Sequence, residues 1–207
     1  PFLKNIIAGE CAVGRKSIKE QRRREILDAL YRCLLKKPYT ETSIKEIGAE
    51  AGINYAMLHY YFRSKEDILL NFIEDLYERY NGLFEEYMKR SGPPGAPPEA
   101  ALGAVFEFFN RHITTDKKLQ KVFFEIWAVA LYNPAVNIRL RKVYRALIGA
   151  VESAMSANGG SPQASHLAIA AVAFHEGIGI FSVFFNFNKK YTTMLLEEFQ
   201  DRIAELL

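Results

Sequence analysis

Cysteine is almost missing from this chain: Cys11 and Cys33 are the only two in 207 residues. Two cysteines exclude a disulfide scaffold, and their spacing fits no metal site. Cys33, on an apolar helical face, reads as a small core residue. A reducing, cytoplasmic compartment is the expectation. Histidine is scarce as well. His59, His112, His166 and His175 form no HxH or HxxxH pair, so neither a metal nor a cofactor is expected. No Gly-rich phosphate loop, nucleophile elbow or Ser/His/Asp arrangement is legible, and no catalytic residue is assigned. No uninterrupted run reaches the roughly 18 apolar residues of a membrane span. The start, PFLKNIIAGECAVG, lacks a basic segment followed by a continuous apolar core. No membrane partner is expected.

What is present suits a folded helical protein. At 49% hydrophobic content the chain can bury a substantial core, and its length allows one domain or two. Charge is divided unevenly along it. Residues 1–65 carry 13 Lys and Arg against 7 Asp and Glu, a net of +6, and the remainder carries 14 against 17, a net of −3. The pI near 8.8 therefore conceals a basic head on a mildly acidic body, as expected if only the head meets phosphate.

The stretch TSIKEIGAEAGINYAMLHYYFRSKE, residues 42–66, holds the densest signal. Thr42 or Ser43 can cap a helix by accepting from a first-turn amide. Ile44, Ile47 and Ala51 then give that helix one apolar stripe. Gly52 can take the left-handed conformation that ends it, with Ile53 dropping into the core. A second short helix, from about Tyr55 to Tyr61, turns Leu58 and Phe62 inward and Tyr55, Ala56, His59 and Tyr60 outward. Ser64 can start a further helix, with Asp67 at the capping-box spacing. Two short helices about a tight turn place the second in a DNA major groove. An αα-corner without any DNA role has the same turn, but it would fill its solvated face with Glu, Lys and Gln. Here that face is aromatic.

Residues from about Gln21 to Leu70, roughly a quarter of the chain, resemble the N-terminal domain of the TetR family of one-component transcriptional regulators. The matching pieces are Pro38-Tyr39-Thr40-Glu41-Thr42-Ser43, then Ile47-Gly48-Ala49-Glu50-Ala51-Gly52-Ile53, then Leu58-His59-Tyr60-Tyr61-Phe62-Arg63-Ser64-Lys65-Glu66-Asp67-Ile68. Two positions depart from the pattern. Ala56-Met57 stands where the family often has Gly-Thr or Gly-Ser, and His59 where it usually has Tyr. The resemblance implies a homodimer on a double-stranded DNA operator. Tyr55, Ala56 and Tyr60 would face base edges, and Met57 a thymine methyl. Thr42, Ser43, His59, Tyr61 and Lys65 would hold phosphates.

The expected architecture is all-α, about nine helices, with a three-helix head and a helical body. Residues 1–16 are expected to be an arm or a non-native remnant, 17–63 the head, and 64–207 the effector-binding and dimerisation body. Helix 1 should start near Ser17, where Lys19, Arg22, Arg23 and Arg24 oppose the macrodipole and suggest nearby phosphate. Breaks are expected at residues 91–98 and 158–162, rich in Pro and Gly. Leu167 to Phe187 is apolar all round, the pattern of a helix covered on more than one side; either a monomer core or a partner subunit could cover it. The resemblance implies that the last two helices pair with their symmetry mates.

Aromatic residues crowd the body: Phe106, Phe108, Phe109, Phe123, Phe124, Trp127, Tyr132 and Tyr144. At helical spacing such rings are ordinary core, but the resemblance implies an aromatic-lined effector cavity here. The candidate effector residues are Asn110, Phe124, Trp127, Tyr132, Tyr144, His175 and Glu176, with Glu125 a further polar anchor. His175 and Glu176 fit either the pocket or the dimer seam. The effector itself stays unidentified, beyond small and apolar or aromatic. Two other classes remain open: an adaptor that has lost specific DNA binding, and an enzyme built around His175, Glu176 and Glu125.

Overall fold

The computed structural model describes the backbone of residues 2–91, 98–155 and 162–204, and the side chains of 18–91, 103–153 and 164–202. Both expected breaks fall largely outside those residues. The described chain is all-helical, with nine α-helices and no strand. It divides into two compact units, Pro1–Asp75 and Leu76–Leu207.

The head holds α1 (Phe2–Lys36), α2 (Ile44–Glu50), α3 (Tyr55–Tyr61) and the start of α4 (Lys65–Ser91). Helix α1 does not wait for Ser17: residues 2–16, expected as an arm, are helical backbone continuous with it. A 3-10 turn, Tyr39–Glu41, links α1 to α2. The core is built from Ile26, Leu30 and Leu34 of α1, Ile47 of α2, and Leu58 and Phe62 of the helix-turn-helix. The first turns of α4 complete it with Ile68, Leu69, Phe72 and Ile73. That burial moves the border of the head from the expected residue 63 to Asp75.

The body comprises the rest of α4, α5 (Pro98–Phe109), α6 (Lys117–Ala130), α7 (Pro134–Met155), α8 (Pro162–Phe184) and α9 (Lys189–Ala204). Helix α5 is regular only as far as Phe109. It passes into a π-turn over Asn110–Thr114, a wider winding that recurs at functional sites. Asp116 then caps α6 by accepting from the amides of Lys118 and Leu119. Asn186, at φ 50°, turns the chain between α8 and α9, and Asn188 accepts from Tyr191 at the start of α9. Asparagine tolerates the left-handed region because its short side chain bonds locally. The centre of the body is Val105 and Phe106 of α5, Val151 of α7, and Ala168, Ala171 and Val172 of α8.

Helix α8 is the central element, packed on α6, α7 and α9. By length and hydropathy alone Ala164–Phe184 could cross a bilayer, and a third of that window (33%) is buried within the chain. It carries buried His175 and Ser182 in its midst. Gly179 admits a side chain, not a neighbouring backbone: a Cβ there would lie 2.3 Å from Gln120 Oε1 and 2.5 Å from its Cδ. Gln120 is fully buried, and its amide donates to the Ile113 carbonyl at 3.1 Å, which fixes it in place. Gly179→Ala is therefore expected to destabilise the body by about 1–3 kcal/mol through overpacking. A Cβ added at Gly177 would meet no packing neighbour within 4 Å, so Gly177→Ala serves as the control in the same urea titration.

Candidate nucleic-acid interface and ligand cavity

Local chemistry explains the helix-turn-helix. The Ser43 hydroxyl accepts from the Glu46 amide at 3.2 Å, and the Glu46 carboxylate accepts from the Ser43 amide at 2.8 Å. That reciprocal capping box fixes the start of α2. The Lys37 ammonium beside Glu46 helps hold its carboxyl well below the usual range, at about 2. Gly52 sits at φ +68°, and the Ile53 amide reaches back to the Gly48 carbonyl at 2.9 Å, closing α2 with a Schellman-type turn. A Cβ on Gly48 would come within 3.2 Å of the Ile53 carbonyl and 3.3 Å of Leu58, so glycine there lets α2 and α3 cross closely. Asn54 caps α3, accepting from the Met57 amide at 2.8 Å. At the start of α4 the Ser64 hydroxyl accepts from the Asp67 amide at 3.0 Å, and the Asp67 carboxylate accepts from the Arg63 amide at 2.9 Å.

The outer face of α3 is apolar and open. Tyr60 is 70% exposed, Tyr55 46% and Met57 44%; Ala56 and His59 are exposed beside them. The rings brace one another. Tyr55 meets His59 edge-on at 4.5 Å, and Tyr60 meets Tyr61 edge-on at 5.1 Å. Lys45 lies 5.8 Å from the Tyr55 ring and Lys19 5.3 Å from the Tyr60 ring. Cationic side chains thus flank the aromatic face on both sides, a combination suited to phosphates at the edges and bases at the centre.

Three expected phosphate contacts have other work inside the head. Thr42 is buried, and its hydroxyl donates to the Pro38 carbonyl at 3.0 Å; it holds the turn and does not face solvent. The Lys65 ammonium donates to the carbonyls of Tyr39 and Thr42, both at 2.9 Å, and lies 4.2 Å from the Tyr39 ring. One of its three N–H donors is left for a phosphate. Arg23 donates to the Tyr61 carbonyl at 2.5 Å and to Asn71 at 2.7 Å, with its guanidinium 4.2 Å from the Phe62 ring. It therefore closes the C-terminal end of α3. Sequence reasoning missed Arg23 and Asn54 as the residues that set the position of α3. Asn54, directly ahead of the helix, was the legible signal.

In the body, a small cavity lies among Val105, Phe106 and Phe109 of α5, Ile113 and Thr114 of the π-turn, Leu147 and Val151 of α7, and Ala171, Val172, His175 and Glu176 of α8. Its volume of about 20 Å³ has room for about one water. His175 is buried against Phe106, ring centroids 4.9 Å apart, and its Nδ1 lies 3.2 Å from the Thr114 hydroxyl. Burial holds its imidazole down to about 4. Trp127 Nε1 donates to the Tyr144 hydroxyl at 2.8 Å, which donates to Glu176 Oε1 at 2.9 Å. Burial pushes the Glu176 carboxyl up to about 7 and the Tyr144 phenol well above its usual value. Two polar atoms here, His175 Nε2 and Glu176 Oε2, are buried with no hydrogen-bond partner.

The structure thus brings His175 and Glu176 to the cavity wall, with Tyr144 and Trp127 bonded behind Glu176. Three other expected effector residues lie elsewhere. Tyr132 is 90% exposed, because α6 ends at Ala130 and its ring falls in the turn to α7. Phe124, 44% exposed, packs edge-on against Phe184 at 6.0 Å, on the outer side of α8. Asn110 starts the π-turn and receives Thr193 of α9 at 3.4 Å. Val105, Ile113, Thr114, Leu147 and Val151 went unassigned, since nothing in their spacing separates cavity wall from ordinary core.

Comparison with known proteins agrees with this geometry. Residues 26–72 match the profile of bacterial regulatory proteins of the tetR family. The chain is 31% identical over 100 residues, 47% of its length, to the HTH-type transcriptional regulator EthR of Mycolicibacterium smegmatis. It is 33% identical over 98 residues, 44% of its length, to the uncharacterized HTH-type transcriptional regulator YerO of Bacillus subtilis. The matched stretches span 45% and 32% of those relatives' own lengths. The fold extends the likeness further: a TetR transcription regulator from Haloarcula marismortui superposes with a TM-score of 0.76 at 19% identity, over 91% of this chain and 98% of that one. A capped helix-turn-helix that matches the tetR-family profile thus stands ahead of an all-helical body, and the chain has the fold of a TetR transcription regulator.

Proposed function

We propose that the protein is a cytoplasmic repressor that binds a pseudo-palindromic operator as a homodimer and leaves it when a small apolar or aromatic molecule occupies the body. The open aromatic face of α3 carries the reading: Tyr55, Met57 and Tyr60 are exposed on a helix whose other face is fixed in the core. Tyr55, Ala56 and Tyr60 meet base edges, with Met57 against a thymine methyl. Ser43, His59, Tyr61 and the free donor of Lys65 meet phosphate. Thr42, being buried, is left out. Selection of duplexes from a random pool tests this, with an enriched palindrome as the expected result. Uniform recovery without enrichment would favour a non-specific adaptor.

The dimer is supported by the outer surface of α8 and α9. Phe181, Phe184 and Phe185 are more than half exposed, and Ile169 of α8 and Met194 of α9 close to half. Such a concentration of large apolar side chains marks an association surface, and Phe124 joins it through Phe184. A two-fold dimer places its heads on half-sites roughly 34–36 Å apart. Light scattering is expected to give twice the chain mass at micromolar concentration. A strict monomer, with and without DNA, would contradict the dimer. Phe184→Glu is expected to shift the equilibrium toward monomer by burying an unpaired charge in the seam.

A further inference from the structure

We infer that the cavity in the body takes a ligand with a protonated amine on an apolar, ring-sized frame, and that Glu176 Oε2 is the acceptor for that amine. The inference rests on the effector reading above and gives it a ligand class.

Glu176 comes from α8 with its two oxygens treated differently. Oε1 accepts from Tyr144 at 2.9 Å, while Oε2 is buried and has no partner. The rest of the cavity wall is apolar or neutral: Val105, Phe106, Phe109 and Leu147 offer no donor, and no Lys or Arg lines it. A buried carboxyl without a counter-charge keeps its proton, and a cation beside it favours ionisation. An ammonium group supplies both the charge and the missing donor. It also carries spare N–H groups for His175 Nε2, the second unpaired atom, which accepts when Nδ1–H donates to the Thr114 hydroxyl. A carboxylate ligand would bring a buried negative charge with no cation to balance it. A neutral alcohol could satisfy one atom but gains no attraction between opposite charges. Phe106 and Phe109, on the facing helix, suit an aromatic or branched frame. The present volume holds about one water, so ligand entry has to part α5, α7 and α8, and the π-turn at Asn110–Thr114 is the irregular backbone on that wall.

Trp127 is the only tryptophan and is bonded to Glu176 through Tyr144, so its fluorescence reports on the site directly. The test titrates the full chain with 2-phenylethylamine, 2-phenylethanol and 3-phenylpropionate, which share a ring and differ in the charge of the head. The amine is expected to bind at least about tenfold more tightly than the alcohol, in line with a charge-assisted hydrogen bond, and the acid most weakly. Glu176→Gln should bring the amine-to-alcohol ratio close to one. Tyr144→Phe, which leaves the carboxyl in place, should keep it. An alcohol or acid that binds as tightly as the amine and releases operator DNA would overturn the amine class while leaving the effector reading intact. Persistence of the amine preference in Glu176→Gln would overturn the role of Glu176. Failure of all three compounds to bind at millimolar concentration would overturn the cavity as a ligand site.

Discussion

Glu176→Gln is expected to stabilise the body above pH 7 and to leave it almost unchanged near pH 4. The carboxyl of Glu176 is pushed up to about 7 in the folded chain by burial. A raised acid contributes stability that is fully present below its unfolded pKa, near 4.5, and is lost as pH rises through 7. His175 behaves oppositely. Burial holds it down to about 4, so its contribution is fully present above 6.5 and lost as pH falls through 4. In the natural chain the two slopes nearly cancel between pH 4.5 and 6.5. Glutamine keeps the acceptor for Tyr144 and removes only the falling slope. Relative to the natural chain, the variant should gain roughly 3 kcal/mol between pH 4 and pH 8, from a shift of about 2.5 pKa units. Urea unfolding followed by Trp127 fluorescence reads the body directly. A constant difference across that range would show that Glu176 is ionised and solvated in the folded protein.

Replacing both Tyr55 and Tyr60 with alanine is expected to lower affinity for the selected operator by about a hundredfold, from two base-edge contacts of roughly 1–3 kcal/mol each. Affinity for unrelated duplex DNA should change little, because the flanking cations remain. Both rings are substantially exposed, so the head should keep its stability, and circular dichroism of the variant checks that. Lys65→Ala should do the reverse. It is expected to weaken all sequences about equally and to lower the salt slope by about one. It also removes the two bonds to the Tyr39 and Thr42 carbonyls, so the head should melt earlier. A double tyrosine variant that loses specific and non-specific binding in equal measure would place sequence reading somewhere other than α3.

How far the sequence could be read follows from the range of the interactions. Ser43 with Glu46, Gly52 with Ala49, and Ser64 with Asp67 are partners within four residues of one another. Their spacing alone announces α2, the turn and the start of α4. Thr42, Arg23 and Lys65 are different. Their roles depend on contacts such as Arg23 with Asn71, across the head, and a basic residue near a helix start reads the same whether it meets phosphate or a carbonyl. In the body the limit is rotational. Helix α8 is apolar around its whole circumference, so periodicity could not say that His175 and Glu176 face inward while Phe184 faces out. Tyr132 and Phe124 were grouped with Trp127 by composition, and only the end of α6 at Ala130 separates them. Gln120, a single polar residue filling the space left by Gly179, carried no signal at all.

Operator preference of a recognition-helix variant tests the central reading most directly. Duplexes would be selected from one random pool by the natural chain and, in parallel, by Tyr55→Ala. The natural chain should enrich a palindrome with half-sites about one helical turn apart. Tyr55→Ala should enrich a palindrome of the same spacing with altered bases at the same place in both half-sites. Identical sequences recovered by both proteins, or no palindrome from either, would contradict the assignment of α3 as the element that reads DNA.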